Sequence, residues 1–248
     1  MKYLVLVLLA LVLAAPSARA TGSGRFNLTW GTGCWRENPA TLSTFACDSD
    51  DGSVSFTVSC ATDVDLPGFS LFQAELDLQS DSAELPDWWQ LTDPGGCRQG
   101  SLSISTDVTA PPGGCADPFA GRQITYEYHR WFTAAFPDPL PSYPVNRAKL
   151  FVEYGIEPRS ETFRRGIEYH GFTVTINFAN TVGAGACGGC STPATIVLNR
   201  VSLWGTGHLI LTNPLDNQCL RWQAGGVTPC SATPTRSGTW GKLKSLYR

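Results

Sequence analysis

The sequence predicts an all-β protein, an antiparallel β-sandwich stapled by disulfides. Three observations support this prediction. Apolar and polar residues alternate with a period of two in several short segments, as in strands that have one solvent-facing side. Turn-forming residues separate these segments, and nine cysteines are spread along the chain. Two antiparallel sheets packed face to face would bury one side of each such strand.

The alternation is clearest in five segments, and it indicates a strand in each. In SVSFTVSC, Val54, Phe56, Val58 and Cys60 share one face, and serine or threonine occupies the other. The five segments are residues 53–60, 71–79, 124–132, 148–156 and 171–179. Three further candidate strands are residues 101–105, 195–204 and 208–213. No interior window of eleven residues has convincing helical spacing of apolar residues, so we predict strands throughout.

The first twenty residues have the features of a secretory signal peptide. Lys2 gives a positive start, residues 3–15 are apolar, and Ala18 and Ala20 occupy the small positions of a cleavage site. The apolar run is shorter than the roughly 20 residues that a membrane helix needs, and no later segment is suited to span. We expect cleavage after Ala20 and a secreted protein, extracellular or at the cell surface, with the periplasm as the alternative.

The charge balance argues against a nucleic-acid partner. Cleavage removes Lys2 and Arg19 and leaves 16 basic and 21 acidic residues among 228, a net charge of about −5. Nucleic-acid-binding domains present a basic face instead. Apolar residues make up 42% of the chain, which is enough to build a core and argues against disorder.

We predict a single sandwich domain over residues 21–230, because no linker-like stretch divides it and its length suits one large all-β domain. Residues 231–248 differ from this body, because they contain basic and aromatic residues and no acidic residue. The four basic residues of this tail are Arg236, Lys242, Lys244 and Arg248. The tail is either a frayed terminus or a segment that sorts or tethers the protein.

The cysteine positions predict local disulfides and one free thiol. In an oxidising compartment most cysteines pair, and an odd number leaves at least one over. We predict that Cys60 is the free thiol, because it continues the apolar face of its strand. The predicted pairs are sequence neighbours beside turns: Cys34 with Cys47, Cys97 with Cys115, Cys187 with Cys190, and Cys219 with Cys230. Sequence alone does not determine connectivity, so each pair is a hypothesis.

The segment Cys187-Gly-Gly-Cys190 has two further interpretations, as a redox site or as half of a metal site. A redox-active pair lies at the start of a helix, which lowers its thiol pKa, but here Ser-Thr-Pro and then a strand follow. Zinc would need a second closely spaced pair, whereas ten residues separate Cys219 from Cys230. We therefore expect a local disulfide that shapes the loop before the strand at 195–203, with no metal and no cofactor.

No motif points to catalysis. Two of the three histidines lie in Glu-Tyr-His segments, at 127–129 and 168–170, which we interpret as solvated residues on outer faces. The chain lacks the G-x-S-x-G elbow of α/β-hydrolases, and nothing singles out a carboxylate pair for glycoside hydrolysis. The glycine after Asp48 arrives one position too early for an EF-hand calcium loop, and a tight turn explains that segment better. Calcium binding by scattered carboxylates stays open.

Four aromatic residues are the candidate ligand-binding residues. Trp88 and Trp89 follow a Leu-Pro-Asp turn, and Trp131 and Tyr143 flank a proline-rich loop. Flat exposed rings of this kind form platforms on which sugars stack. The alternative is that the rings fill the core and pack loops against it.

Two resemblances add to these predictions. FSLFQAELDLQSDSAELPDWWQL is similar in pattern to a cohesin segment in which a strand leads into a loop with a buried leucine, and carbohydrate-binding modules look alike at this level. LPDWWQL with CRQGSL, then GACGGCSTPATIVLN, then the C-terminal end with its Thr-Trp-Gly-x-x-Lys-x-x-Tyr-Arg pattern, resemble a group of secreted bacterial β-sandwich proteins. The resemblances imply a jelly-roll or cohesin-like sandwich, and they supply no activity, catalytic residue or ligand.

These observations together favour a secreted, non-catalytic extracellular module. Its expected partner is a glycan or an extracellular protein, bound by loops at one end of the sandwich. The first alternative is a structural cell-surface or matrix protein that is sorted or tethered by residues 231–248. The second alternative is a secreted hydrolase. The oligomeric state is not predicted.

Overall fold

Strands dominate the computed structural model. The residues it describes are 24–36, 39–91, 94–107, 114–134, 143–157, 162–211 and 218–223. Within them lie β1 (Gly24–Trp30), β2 (Leu42–Ser43), β3 (Ser53–Thr62), β4 (Leu71–Ser80), a short 3-10 helix (Asp87–Trp89), β5 (Leu102–Ser105), β6 (Tyr126–Thr133), β7 (Arg147–Gly155), β8 (Tyr169–Asn177), β9 (Ala194–Trp204), β10 (His208–Leu211) and β11 (Cys219–Trp222). The eight strands predicted from alternation are confirmed as β3 to β10. In these ranges no helix is long and apolar enough to cross a membrane.

Three of the expectations fall on residues outside the described ranges. These are the signal peptide at residues 1–20, the basic aromatic tail at residues 231–248, and Cys230, the predicted partner of Cys219. Cys219 itself is disulfide-bonded.

The strands form two sheets, which we call the small sheet and the large sheet. The small sheet has the order β1-β3-β8-β5. The large sheet has the order β2-β11-β9-β4-β7-β6, and β10 pairs with the second half of β9. Neighbouring strands are antiparallel except for β11 with β2. The predicted antiparallel, disulfide-stapled β-sandwich is therefore confirmed.

The core lies between the two sheets and follows the period-two pattern of the sequence. On β3 the inward residues Phe56, Val58 and Cys60 are 2% exposed or less, as alternation along a strand requires. Phe72 of the large sheet meets Phe172 of the small sheet edge to face, with ring centroids 6.2 Å apart. Burying each such side chain stabilises the fold by about 2 kcal/mol.

A bulge at Gly171 changes which face the start of β8 presents. Val58 lies opposite Phe172 and Ser59 lies opposite His170, so Gly171 has no partner on β3. A Cβ atom at position 171 would lie 2.9 Å from both the Phe72 ring and the Val58 carbonyl oxygen, which is closer than side chains tolerate. The extra residue shifts the alternation by one, and it thereby places His170 on the outer face beside Ser59.

The disulfides join segments that are distant in sequence, so the predicted neighbouring pairs are wrong for the cysteines whose partners the structure gives. Cys34 pairs with Cys115, Cys47 with Cys190, and Cys97 with Cys187, with Cα–Cα distances of 5.9, 5.8 and 6.0 Å. Sequence proximity failed as a guide because each end of a sandwich brings together loops from different parts of the chain. Cys60 is a buried free cysteine, and burial raises the pKa of its thiol, as does Glu168 to a smaller extent.

The Cys187-Gly-Gly-Cys190 segment connects two different loops through its disulfides to Cys97 and Cys47. Gly189, with φ of 102°, allows the sharp turn between the two cysteines. Arg98, which follows Cys97, is fully buried beside this segment, and burial lowers the pKa of its guanidinium to about 10. Arg98 donates to the carbonyl oxygens of Trp88, Asn177 and Ala179, so it connects its own loop to the short helix and to the end of β8.

Candidate binding face of the large sheet

Three of the four aromatic residues predicted to bind ligand lie in the core. Trp88 and Trp89 are 0% exposed and Trp131 is 8% exposed. The short helix Asp87–Trp89 turns both adjacent rings inward, where they pack against Trp222 at centroid distances of 4.7 and 5.1 Å. The Trp131 indole N–H donates to the Trp89 carbonyl oxygen at 3.2 Å. The interpretation of these three rings as an exposed stacking platform is therefore wrong.

Tyr143, the fourth candidate, is half-buried near the outer face of the large sheet. Its hydroxyl donates to Asp77 Oδ1 at 3.3 Å. Burial raises the pKa of Tyr143, and the adjacent Asp77 carboxylate raises it further. Tyr143 therefore lies apart from Trp88 and Trp89, because its partner Asp77 is on the outer side of the large sheet and the two tryptophans are in the core.

The outer face of the large sheet exposes aromatic residues that alternate with core residues. Tyr126, Tyr128 and Trp204 are 49%, 40% and 40% exposed. Tyr126 and Tyr128 lie two residues apart on β6, and Trp131 has the opposite parity and points into the core. The same alternation that buries Trp131 therefore directs the two tyrosines outward.

One row of this face runs across five strands. From β6 to β10, the residues in register are Tyr126, Gly155, Leu71, Trp204 and His208. The Trp204 ring stacks on His208 with centroids 3.7 Å apart and planes 14° apart. Its indole N–H donates to Gln73 Oε1 at 3.2 Å. These two contacts fix the orientation of an exposed indole before any partner arrives, which reduces the entropy lost on binding.

Paired charges occupy the centre of the same face. Lys149 Nζ lies 3.5 Å from Glu75 Oε2 and 3.3 Å from Asp77 Oδ1, and Arg200 also pairs with Glu75. These four side chains are 5–30% exposed, so water only partly screens them. The network carries two positive and two negative charges, and it gives a protein of net negative charge a locally neutral surface.

We call the combined surface the aromatic face. It comprises the exposed rings and the central ion network on the outer side of β6, β7, β4, β9 and β10, and its members are Tyr126, Tyr128, Trp204, His208, Glu75, Asp77, Lys149 and Arg200. Tyrosine, tryptophan and arginine are enriched at protein–protein interfaces, whereas the lysine, glutamate and aspartate of the ion network are residue types that are depleted there.

The outer face of the small sheet is different, because its hydroxyl groups are largely covered. Ser55 and Thr175 share a hydrogen bond of 2.8 Å, and Thr57 and Thr173 share one of 3.3 Å. The chain reverses at Gly31, whose φ is 90°, and residues 31–36 then run back over this face. Thr57 donates to the Gly31 carbonyl oxygen at 3.0 Å, at the point where the covering segment begins.

Glu168 connects the covering segment to the small sheet. It is 6% exposed and accepts from Ser59 Oγ at 2.6 Å, from the Trp35 amide at 3.1 Å and from the Arg36 amide at 3.4 Å. The disulfide from Cys34 to Cys115 fastens the same segment. Buried carboxylates need several donors of this kind to offset the loss of hydration.

His170 lies on the same covered face and is 1% exposed. Its Nε2 atom shares a hydrogen bond of 3.2 Å with Thr173 Oγ1, and its Nδ1 atom has no partner. Burial lowers the pKa of His170 to about 4, against a smaller opposing effect of Asp107. The prediction that residues 168–170 are solvated is wrong, because the segment over Glu168 covers them.

The two Glu-Tyr-His segments do not combine into a metal site. Residues 127–129 belong to the large sheet and residues 168–170 lead into the small sheet. In the part of the chain that the structure describes, no group of three or more His, Cys, Asp or Glu side chains is arranged to hold a metal ion.

Comparisons with known proteins give matches in structure only. No model of a known protein family matches the chain, and no curated protein sequence does. A type III cohesin module from the cellulosomal ScaE cell-surface anchoring scaffoldin of Ruminococcus flavefaciens is similar at 9% identity and a TM-score of 0.35, over 86% of this chain and 93% of that one. A type II cohesin domain from the cellulosome of Acetivibrio cellulolyticus gives 8% identity and a TM-score of 0.32, over 82% and 96%. AvmM, which catalyses macrocyclization in alchivemycin A biosynthesis, gives 10% and 0.31, over 84% and 92%. Similarities this distant do not indicate what the chain binds.

Sequence reasoning missed the residues that form the aromatic face. Trp131 was an attractive candidate because it is large and lies near a proline-rich loop, but size does not indicate direction. The informative signal is the parity of Trp131 within ITYEYHRWF: if the indole is buried, then Tyr126 and Tyr128 have the wrong parity for the core. The sequence also gives a signal for the exposure of Trp204, because this residue ends β9 just before a glycine-rich turn.

Proposed function

We propose that this protein is a non-catalytic extracellular module that binds a protein partner through the aromatic face. The observation that carries the proposal is the exposure of Tyr126, Tyr128 and Trp204 on one sheet face around a paired-charge centre. Tyrosine and tryptophan supply large contact area with few rotatable bonds, and they are frequent among residues that dominate binding energy.

The arrangement of the rings favours a protein over a glycan. Trp204 stacks against His208, whereas Tyr126 and Tyr128 lie on β6, so the exposed rings are spread across the sheet rather than gathered into one platform. Tyr126 and Trp204 lie three strand spacings apart, which is about 14 Å. Between them lie apolar and charged side chains that a protein surface of complementary charge can contact.

The covered polar cluster supports a non-catalytic role. Glu168, His170 and Ser59 are three buried titratable or nucleophilic groups on the outer side of the small sheet, and each is 6% exposed or less. A substrate would have to displace residues 31–36, which a disulfide and the Glu168 hydrogen bonds fasten. The proposed extracellular location is supported by the three disulfides and by the signal-like residues 1–20.

Site-specific photo-crosslinking in the cells that produce the protein tests this function. A benzophenone amino acid at position 128 should give one discrete protein adduct, and the adduct should disappear when Trp204→Ala is added. The matched control has the same group at Ser103, an exposed position on the outer face of β5, and it should give no such adduct. Equal adducts from both positions, or an adduct that is insensitive to Trp204→Ala, would contradict the proposal.

A glycan array with the purified protein separates the two ligand classes. We expect no binding that depends on the aromatic face. Binding of a glycan that is lost in both Tyr128→Ala and Trp204→Ala would replace the protein partner with a carbohydrate ligand. Both substitutions remove exposed rings, so they leave the fold intact and a loss of binding can be assigned to the face.

A further inference from the structure

A second row of residues crosses the outer side of the large sheet, at the other end of the strands from Trp204. We call it the arginine row, and its members in register from β2 to β7 are Leu42, Arg221, Thr195, Gln79 and Arg147. Arg147 and Arg221 are half-buried and lie three strand spacings apart, which is about 14 Å. Leu42, at the end of the row, is 57% exposed. The row therefore presents two guanidinium groups and an apolar side chain on the same side of the sheet as the exposed rings.

Arg147 and Arg221 have no carboxylate within ion-pair distance among the residues that the structure describes. The carboxylates of the central ion network pair with Lys149 and Arg200 instead. The Nε atom of Arg147 is buried and has no hydrogen-bond partner in the described part of the chain. A guanidinium that has lost part of its hydration without gaining a counter-ion is stabilised by a carboxylate from outside, which it can bind through two parallel hydrogen bonds.

The outer side of the large sheet is positive in sum, whereas the whole chain is negative. The chain has 18 basic and 21 acidic residues. On this side the described strands carry more basic than acidic residues: Arg130, Arg147, Lys149, Arg200 and Arg221 against Glu75, Asp77 and Glu153. The sum stays positive even if the charge of Arg130, which packs 5.0 Å from the centroid of the Phe132 ring, is neutralised by its surroundings. Complementary charge steers association and disfavours wrong partners, so this side favours an acidic surface.

The positions of the acidic residues favour a protein over a nucleic acid or a membrane surface. Glu75, Asp77 and Glu153 lie between the arginine row and the row of Tyr126 and Trp204. A continuous array of phosphates would lie over these carboxylates as well as over the arginines, whereas a protein surface can place its own carboxylates opposite the arginines alone. The two rows are eight residues apart on β7, about 27 Å, which lies within one interface of standard size, about 800 Å² on each partner.

We propose that the partner protein presents an acidic surface to the arginine row. Carboxylates of the partner pair with Arg147 and Arg221, and its apolar side chains contact Leu42 and the rings of the aromatic face. The planar guanidinium matches a carboxylate in geometry as well as in charge, so these pairs fix how the partner is oriented on the sheet. This inference rests on the proposed function, because it specifies the charge of the partner that the aromatic face binds.

Charge reversal in the cross-linking assay tests the proposal. With the benzophenone at position 128, the double variant Arg147→Glu, Arg221→Glu should lower the yield of the adduct by about tenfold or more. The double variant Arg147→Lys, Arg221→Lys should lower it by no more than about threefold, because the charge remains although the bidentate geometry is lost. This second variant separates an effect of charge from a loss of structure. The matched control is Arg164→Glu, Arg165→Glu, at two exposed positions before β8, and it should change the yield by less than about twofold.

Selection of random dodecapeptides displayed on phage, with the full chain as the target, gives a measurement that does not depend on the cellular partner. The selected peptides should be enriched in aspartate and glutamate beside apolar residues. Their affinity for the variant Arg147→Glu, Arg221→Glu should be about tenfold lower or less, and their affinity for Arg164→Glu, Arg165→Glu should be unchanged.

The outcome is separable from that of the proposed function. An adduct that is lost in Trp204→Ala but unchanged by reversal of both arginines keeps the aromatic face as an interface and overturns the acidic partner. Selected peptides without an excess of acidic residues overturn it as well. Acidic peptides that bind through the two arginines, without any adduct in cells, support the acidic preference and contradict the proposed function. Binding of duplex DNA or of anionic lipid vesicles that is lost on charge reversal would replace the acidic protein with a polyanion.

Discussion

The outer faces of the two sheets contrast in a way that their compositions do not predict. The small sheet carries serine and threonine, the residues expected to face water, yet Thr57 and Ser59 are 0% and 1% exposed. The large sheet carries Tyr128 and Trp204, the residues expected in the core, yet both are 40% exposed. The difference lies in what covers each face: residues 31–36 fold back over part of the small sheet, whereas the aromatic face stays open. A partner therefore has access to the apolar surface rather than to the polar one.

Hydrogen bonding explains why the covered face is stable. A buried hydroxyl without a partner costs roughly 1–3 kcal/mol, but Ser59 and Thr57 each have one, in Glu168 and in the Gly31 carbonyl oxygen. On the aromatic face, Lys149 and Arg200 neutralise Glu75 and Asp77 in a similar way. Apart from His170 Nδ1 and Arg200 Nε, these polar groups have partners on both faces, so the exposed rings distinguish the aromatic face from the small sheet.

The largest effect on the difference between the two outer faces should come from removing the disulfide that holds residues 31–36 over the small sheet. Cys34 and Cys115 are separated by 81 positions, and closing a loop of this size stabilises by roughly 4 kcal/mol in the chain-entropy model. We expect the double variant Cys34→Ala, Cys115→Ala to lose about that much unfolding free energy in urea denaturation. Its amides in residues 31–36 should also exchange faster, while those of β4 and β7 keep their order of protection. Unchanged exchange at 31–36 would show that the disulfide does not hold the cover.

Removing the buried carboxylate should have the next largest effect. Glu168→Ala leaves Ser59 Oγ and the amides of Trp35 and Arg36 without their acceptor, and we expect a loss of about 3 kcal/mol. Glu153→Ala is the matched control on the open face, where water replaces the lost contacts and the cost should stay below about 1 kcal/mol. Equal losses in the two variants, measured by urea denaturation, would mean that the small sheet is no better covered than the large one.

Acid should destabilise the covered face through His170. Its pKa is about 4 in the folded protein and near 6.5 when unfolded. The unfolded chain therefore binds the proton more readily, so this contribution to stability is complete above pH 6.5 and is lost as the pH falls towards 4. We expect a decrease of about 2–3 kcal/mol over this window, and His170→Gln should flatten it. His129→Gln, at an exposed position, should leave the slope unchanged; a flattened slope there would contradict the assignment.

The fold could be predicted from the sequence wherever apolar and polar residues alternate along a strand, whether or not the polar face is exposed. SVSFTVSC and LFQAELDLQ satisfy that condition and correspond to β3 and β4. Strand β1 was not predicted, although Phe26, Leu28 and Trp30 alternate with Arg25, Asn27 and Thr29 in the same period of two. Strand β2 is two residues long, too short for a periodic signal, and the four residues of β11, CLRW, do not alternate.

The candidate site was harder to predict because it depends on contacts between distant segments. Placing Trp88 and Trp89 correctly in the core required knowing that a helical turn directs both rings towards Trp222. Trp222 lies 133 positions after Trp89 in the chain. The cover over Glu168 depends on a chain reversal at Gly31 and on a disulfide to Cys115, and neither has a local pattern. Alternation assigns residues to the two faces of a strand, but it does not show which outer face a loop will cover.

The smallest effect on stability should come from the aromatic face itself, where binding should change most. Tyr128→Ala and Trp204→Ala remove rings that are already 40% exposed, so each should cost no more than about 1 kcal/mol of unfolding free energy. The same variants should lose the cross-linked partner, because truncating an aromatic residue that dominates an interface weakens binding by about 2 kcal/mol or more, roughly thirtyfold. Tyr128→Phe is the control that keeps the ring, and it should retain the adduct. If Trp204→Ala instead unfolded the protein, the indole would be needed for stability as a core residue is. The two outer faces would then not differ in the way described.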